Sequence, residues 1–433
     1  MLESIIRTNY FKNLEFRRLV KNVTNYTIFQ FTNYFVPLIS IPYIVRVIGA
    51  EKFGILSYAQ AVIYYFSIFV DYGFDISATQ KIAQSKGDLD KISETISTVW
   101  TIKFLIMLCI SLILLTIISI TDEGRENSRV YLLTFSMIPA NILISLWFFI
   151  GLEKMQYLNY SNFISRIGYL LGVFIFIKNE SQYWLIPMIN SFSLFFGAIA
   201  TLLIIFVQFK IKLKIPRLEI IWSYLKDGFH VFVSNIAINF YRNSNIIILG
   251  FFASKENVGI YSAGEKIIKV VQSTFTPITQ VFYPFISRKK LISPSSTLKY
   301  IRLLLTYLGI IALIISVILL CFSKYIGLLL LGSKFRASIP VIQISSIAIL
   351  FSVLNYILGI IFMQNYDLRK EFSYCVVGIG FINIIVCSTL CYYFQEIGAA
   401  FSFTFAEISL FLIINYFIYI RREKWNLAAN LSS

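Results

Sequence analysis

The sequence predicts an all-α, polytopic membrane protein with about twelve transmembrane helices in two six-helix lobes, related by a pseudo-two-fold axis along the membrane normal. Composition is the first reason. Of 433 residues, 58% are hydrophobic and 14% charged, and the mean hydropathy is +0.75. Soluble domains average roughly 45–50% apolar and about 25% charged, so a soluble globular protein is excluded. One span takes about 20 mainly apolar residues, and the apolar content is enough for about twelve. The second reason is an alternation of basic and neutral loops, and the third is an internal repeat.

Twelve apolar segments follow in order: 26–45, 55–71, 99–120, 131–150, 157–177, 183–207, 229–252, 258–286, 303–323, 339–363, 373–394 and 397–419. Residues 1–25 are polar and basic, with no small-residue cleavage site before the first segment. That segment therefore reads as a retained span, not a signal peptide. The expected organisation is a cytoplasmic N-terminal segment (1–25), an N-terminal lobe (26–207), a basic cytoplasmic linker (208–228), a C-terminal lobe (229–419) and a cytoplasmic tail (420–433).

With the N-terminus inside, the inner segments hold 24 of the 38 lysines and arginines. The outer loops hold nine (Arg46, Lys52, Arg125, Arg129, Lys178, Lys255, Lys324, Lys334 and Arg336), and five lie within spans. This asymmetry obeys the positive-inside rule and places both termini in the cytoplasm. The net charge of +16 is mostly this bias, together with attraction to anionic lipid. A nucleic-acid partner is not expected, because no basic, aromatic-interleaved soluble segment exists to hold one.

Laid on itself with an offset of 205 residues, the chain places Glu51, Gly54, Ile55, Ser57 and Ile63 on Glu256, Gly259, Ile260, Ser262 and Ile268. Polar stripes share the register. Ser57, Gln60, Tyr64, Ser67 and Asp71, on one helical face, fall on Ser262, Glu265, Lys269, Gln272 and Thr276. In the first and seventh spans Gln30, Tyr34, Pro37 and Ser40 fall on Asn235, Asn239, Arg242 and Asn245. Polar residues gather on the inner face of any bundle, which explains each stripe but not the common register. Six spans per repeat is an even number, so the two halves share one orientation.

Ionisable side chains within a bilayer cost about 2.5–3.5 kcal/mol each on insertion scales and are functional candidates by default. The cations are Lys103, Arg166, Arg242, Lys266 and Lys269; the anions are Glu265, Glu407 and, at the inner end of its span, Asp71. Arg166 and Arg242 lie nearest mid-span and call for a water-filled cavity or a buried partner. Lys103 lies close enough to the cytoplasmic end to snorkel. Glu265 and Lys269, at i, i+4, are placed to neutralise one another. Glu407 is a proton-site candidate.

Enzymatic readings fail. Gly259–Gly264 with Lys266 imitates a phosphate-binding loop, but Glu265 intrudes and no Ser or Thr follows the lysine. His230 is the sole histidine, which removes His-based metal clusters and most triads. The five cysteines lie in apolar runs without ligand spacing; Cys387 and Cys391, at i, i+4, read as packing. A polysaccharide polymerase or ligase would need a substantial outer domain, which the short outer loops do not provide. Neither a cofactor nor a metal is expected.

The run from Pro42 to Gly49, then Phe53-Gly54 and Tyr58-Ala59-Gln60, resembles the opening signature of polysaccharide-transport flippases. So do Asp71-Tyr72-Gly73-Phe74 with Ser77-Ala78-Thr79, the stretch Trp147 to Met155, and Leu249-Gly250, Val258-Gly259-Ile260-Tyr261 and Glu265-Lys266-Ile267. The resemblance covers residues 22 to about 370 and is to Wzx-type O-antigen flippases of the multidrug/oligosaccharidyl-lipid/polysaccharide (MOP) superfamily. It implies two six-helix lobes around a cavity lined by spans 1, 2, 7 and 8, the spans that carry the paired stripes. It also implies an inner-membrane location, an undecaprenyl-pyrophosphate-linked oligosaccharide as substrate, and a polysaccharide polymerase and chain-length machinery as partners.

On that reading Arg242, Arg166, Lys269, Lys266 and Lys103 attract the pyrophosphate. Asn235, Asn239, Asn245, Gln60 and Gln272 pair sugar hydroxyls, and Glu407, Glu265 and Asp71 are candidates for ion coupling. The competing expectation is a cation-coupled multidrug antiporter, which would want an anionic cavity.

Overall fold

The computed structural model describes residues 14–85, 87–276, 282–283, 285–287, 289–290 and 294–422. Helix is the regular secondary structure among them. Among the described residues, seven helical stretches, interrupted ones included, are long and apolar enough to cross a membrane. Two are far longer than one crossing requires: Leu14–Asp71 with 58 residues and Arg369–Ile420 with 52. At about 1.5 Å per residue each would exceed twice the hydrocarbon thickness. Each is in fact two helices joined at one non-helical residue, Gly49 (φ 74°, ψ 177°) and Gln395 (φ 49°, ψ −123°). A side chain at Gly49 would meet nothing within 4 Å, so glycine stands there for its backbone conformation and not for space.

Three departures from the apolar pattern have local causes. The segment 131–150 is not one helix but Ser128–Phe135, Met137–Ile144 and Leu146–Gly151. Ser145 breaks the last two apart in the left-handed region (φ 48°, ψ 55°). Its buried hydroxyl accepts a hydrogen bond from Trp100 Nε1 at 2.7 Å and donates to the Ile142 carbonyl at 3.0 Å. Helix Leu218–Phe252 starts inside the stretch read as linker, just beyond Pro216. The non-helical residues before it are pinned: Lys212 N–H donates to Ser93 Oγ at 3.2 Å and Lys214 N–H to Ser97 Oγ at 2.9 Å. Helix Leu89–Ile120 begins earlier than its apolar segment because Asp88 caps it, accepting from the N–H groups of Asp90 and Lys91. Those backbone bonds, Lys91's foremost, hold the Asp88 carboxyl below the usual carboxylate range.

The chain forms two compact units. One comprises Met1–Pro37, Phe66–Val173 and Pro187–Phe232; the other comprises Leu38–Tyr65, Phe174–Ile186 and Val233–Ser433. All five crossings between units fall within helices.

The second unit joins segments from both halves of the sequence and shows the 205-residue register as a physical contact. A methyl on Gly54 would overlap the Lys255 carbonyl oxygen and stand 2.8 Å from Gly259 N. A methyl on Gly259 would overlap the Ala50 carbonyl oxygen and stand 2.9 Å from Gly54 N. Ala50 with Lys255 and Gly54 with Gly259 are repeat-equivalent pairs, so the two backbones meet reciprocally. Only glycine permits so close an approach. Beside it Arg46 donates to the Leu329 carbonyl, and Tyr43 OH donates to the Ile177 carbonyl at 2.6 Å.

Candidate functional site

A cavity of about 280 Å³ lies within the first unit. Its charged lining is Asp71, Asp75, Lys103 and Arg166, and its polar lining includes Asn33, Asn141, Asn162, Ser161 and Ser165. Two of the acids flank a kink. Tyr72 (φ 45°) and Gly73 (φ 74°) both take left-handed backbone, ending one helix at Asp71 and starting Phe74–Gln84, with Asp75 in its first turn. The kink is held from outside: Tyr72 stacks on Phe232 at 4.6 Å, and a methyl at Gly73 would stand 2.8 Å from Val231 Cβ.

Lys103, from helix Leu89–Ile120, reaches the kink. Its Nζ lies 2.9 Å from Asp71 Oδ1 and 3.8 Å from Asp75 Oδ1, and its side chain is 3% exposed. Burial that deep requires the carboxylates, since an unpaired ammonium would lose its hydration without compensation. The lysine expected to snorkel is therefore neutralised in place.

Arg166, on helix Met155–Phe176, donates from Nε to Asn33 Oδ1 at 2.9 Å. No carboxylate lies within ion-pair distance of it among the described residues. Asn162 beside it donates to the Phe29 carbonyl at 3.2 Å. With every group ionised, the four charges of the cavity cancel.

The second unit holds the remaining predicted residues, five of them on a continuous hydrogen-bonded chain. Ser402 Oγ donates to Asn383 Oδ1 at 2.6 Å, and Asn383 Nδ2 donates to Asn245 Oδ1 at 3.0 Å. Asn245 Nδ2 donates to Tyr261 OH at 3.4 Å and to the Ala399 carbonyl at 3.2 Å. Tyr261 OH donates to Glu265 Oε1 at 3.2 Å, which also pairs with Lys269 at 3.1 Å. Lys269 donates to Asn243 Oδ1 at 3.2 Å, and Asn243 donates to Asn239 Oδ1 at 3.2 Å. Tyr64 OH also donates to Asn239 Oδ1, at 2.7 Å, and Asn239 Nδ2 donates to the Asn235 carbonyl at 2.8 Å.

Lys266 stands apart from this chain. Its Nζ lies 3.5 Å from Gln60 Oε1 and 4.6 Å from the centroid of the Phe53 ring. Glu407 accepts from Asn355 Nδ2 at 2.8 Å on Oε2 and at 2.9 Å on its carbonyl. The buried Nε2 of Gln272 has no hydrogen-bond partner among the described residues. The side chain of Arg242 lies outside the described residues.

The first unit thus gathers Asp71, Lys103 and Arg166, and the second gathers Gln60, Asn235, Asn239, Asn245, Glu265, Lys266 and Lys269. Asp75 and Asn33 were not anticipated, although the signal was present. Asp75 extends the 57-60-64-67-71 stripe by one step, and Asn33 fits between Gln30 and Pro37 on the first-span stripe. Asn355 and Asn383 were each a lone amide in an apolar run.

Comparison with known proteins now bears on the chain. A family model described as polysaccharide biosynthesis protein matches residues 19–290. A relative from Escherichia coli (strain K12), named "Putative O-antigen transporter", is 33% identical over 387 residues, covering 88% of this chain and 92% of its own. An inward-facing multidrug-resistance MATE family transporter of the MOP superfamily superposes with a TM-score of 0.73 at 10% identity, over 95% of this chain and 100% of that one. The lipid II flippase MurJ, in an inward closed conformation, gives 0.67 at 14% identity, over 95% and 90%. These two likenesses show a shared fold. The chain belongs to the polysaccharide biosynthesis protein family and has the multi-helix membrane fold found in the MOP superfamily.

Proposed function

We propose that the protein is a flippase, moving an undecaprenyl-pyrophosphate-linked oligosaccharide repeat unit, such as O-antigen, from the cytoplasmic to the periplasmic leaflet. The observation that carries this reading is Arg166: a guanidinium without a carboxylate partner among the described residues, facing a cavity lined with amides and hydroxyls. Guanidinium pairs bidentately with phosphate oxygens, and amides pair with sugar hydroxyls. Such a headgroup cannot cross hydrocarbon unaided, because stripping its hydration is too costly. Moving two negative charges out of an inside-negative cell releases about 4–5 kcal/mol per 100 mV. A cation–drug antiporter is less well supported, since Lys103 and Arg166 balance the two acids of the cavity and leave it without net negative charge.

Twelve helices in two six-helix lobes, with both termini cytoplasmic, complete the proposal, and access alternates by rocking of the lobes. Arg242 stays in it as a second phosphate ligand from the seventh span. The reciprocal glycine contact supports the lobe relation, because repeat-equivalent residues meet in pairs. A polysaccharide polymerase and chain-length machinery are the expected downstream partners.

Two measurements check this reading. Deleting the protein should leave lipid-linked repeat units on the cytoplasmic leaflet and abolish surface polymer; intact surface polymer in a strain without a second flippase defeats it. A reporter fused after Lys290 should read cytoplasmic and one fused after Gly332 periplasmic, because the basic loops set the orientation. The opposite pair of readings would reverse every assignment of side.

A further inference from the structure

The Asp71–Lys103–Asp75 cluster has two carboxylates for one ammonium, and the sharing is uneven. Asp71 takes a hydrogen bond from Lys103 at 2.9 Å; Asp75 stands 3.8 Å away, beyond hydrogen-bond reach. The charged groups around Asp75 in the cavity are Asp71, Lys103 and Arg166, the last hydrogen-bonded to Asn33. Along its own helix, Lys81 is engaged elsewhere, 2.8 Å from Asp227 and over the Tyr224 ring at 4.1 Å. The first-turn position of Asp75 favours its anion. A second carboxylate four residues away on the same ammonium, beside a cavity among membrane helices, works against it. Lys103 already occupies the point between the acids that a metal cation would take. A proton needs no such point.

We propose that Asp75 is a proton-binding site of the cavity, its carboxylate taking up a proton from water while Asp71 retains the Lys103 ammonium. Protonation raises the charge of the cavity from zero to one positive. Proton and phosphate binding then favour each other, and by linkage each raises the affinity for the other by the same factor. That second step rests on the reading of the cavity as an anion site; the protonation itself does not.

Infrared difference spectra of the full-length protein in nanodiscs of phosphatidylethanolamine and phosphatidylglycerol test it, taken as the pH falls from mildly alkaline to mildly acidic. A carboxylic-acid C=O band should grow in. It should be lost in Asp75→Asn and displaced to lower pH in Asp71→Asn, where Lys103 serves Asp75 alone. If Asp75→Asn fails to fold, the Asp71→Asn displacement remains as the readout, which a merely structural role would not produce. Absence of the band from the wild type, or its survival in folded Asp75→Asn, overturns the proposal. Added inorganic pyrophosphate should move the wild-type band to higher pH. A band that titrates but ignores pyrophosphate upholds the proton site and overturns the anion reading.

Discussion

Arg166→Ala is expected to abolish surface-polymer export while leaving the protein at near wild-type abundance in the membrane. Its guanidinium pairs with no carboxylate among the described residues and makes one hydrogen bond, to Asn33, so truncation strands no buried acid. The stability lost is that of a single hydrogen bond and some packing, about 1–3 kcal/mol. Function loses far more. A charge-assisted hydrogen bond to phosphate is worth about 1.5–3 kcal/mol, and two of them would lower affinity by roughly two to four powers of ten. Arg166→Lys should recover part of the export, because an ammonium keeps the attraction but not the planar fork. Lys103→Ala provides the contrast. It leaves Asp71 and Asp75 without their ammonium, costing about 3–5 kcal/mol, and should lower abundance. Quantitative immunoblots of the variant and of surface polymer separate the two effects. Normal polymer from Arg166→Ala at wild-type abundance removes Arg166 from the site.

The second large effect belongs to the glycine crossing. Gly54→Ala and Gly259→Ala each place a methyl against a backbone carbonyl that cannot rotate away. The two backbones must separate, at a cost of about 1–3 kcal/mol or more, and the contact is symmetric, so the two substitutions should cost alike. Gly378→Ala is the control. Its methyl would meet nothing within 4 Å in a helix interior, where alanine is favoured by about 1 kcal/mol. Thermal unfolding of the purified proteins in detergent should rank the crossing variants well below the wild type and Gly378→Ala at or above it. Crossing variants that melt with the wild type would mean that the backbones do not meet there.

The register of the crossing is legible in the sequence because glycine carries its reason with it: Gly54 and Gly259 align at the offset that makes them touch. Hydropathy was informative about which residues enter the membrane and about two of the bends: Gly49 lies in the gap between segments 26–45 and 55–71, and Gln395 in the gap between 373–394 and 397–419. It was silent about Ser145, which breaks a helix inside the segment 131–150 and is held there by an indole forty-five residues away in sequence, from Trp100. Apart from Glu265 and Lys269, whose i, i+4 spacing announced their 3.1 Å pair, the buried ions were found one at a time because insertion cost is a property of single side chains. Their pairing is a property of space. Lys103 looked able to snorkel until the kink at Tyr72-Gly73 brought Asp71 and Asp75 to it. Asp75 lay beyond the end of an apolar segment and so escaped a search confined to spans.

The five helix-borne crossings between the two units have a practical consequence. Severing a helix exposes up to four N–H groups on one side of the cut and four C=O groups on the other. Water would solvate them in a soluble protein; in hydrocarbon each unsatisfied group costs several kcal/mol. Freeing either unit would require five such cuts, at 37/38, 65/66, 173/174, 186/187 and 232/233. Neither unit, therefore, is a module that truncation could excise or that recombination could exchange between relatives. A chimaera that respects the architecture must take its junctions from the non-helical stretches, such as the residues before Leu218, and accept that each donor then contributes to both units.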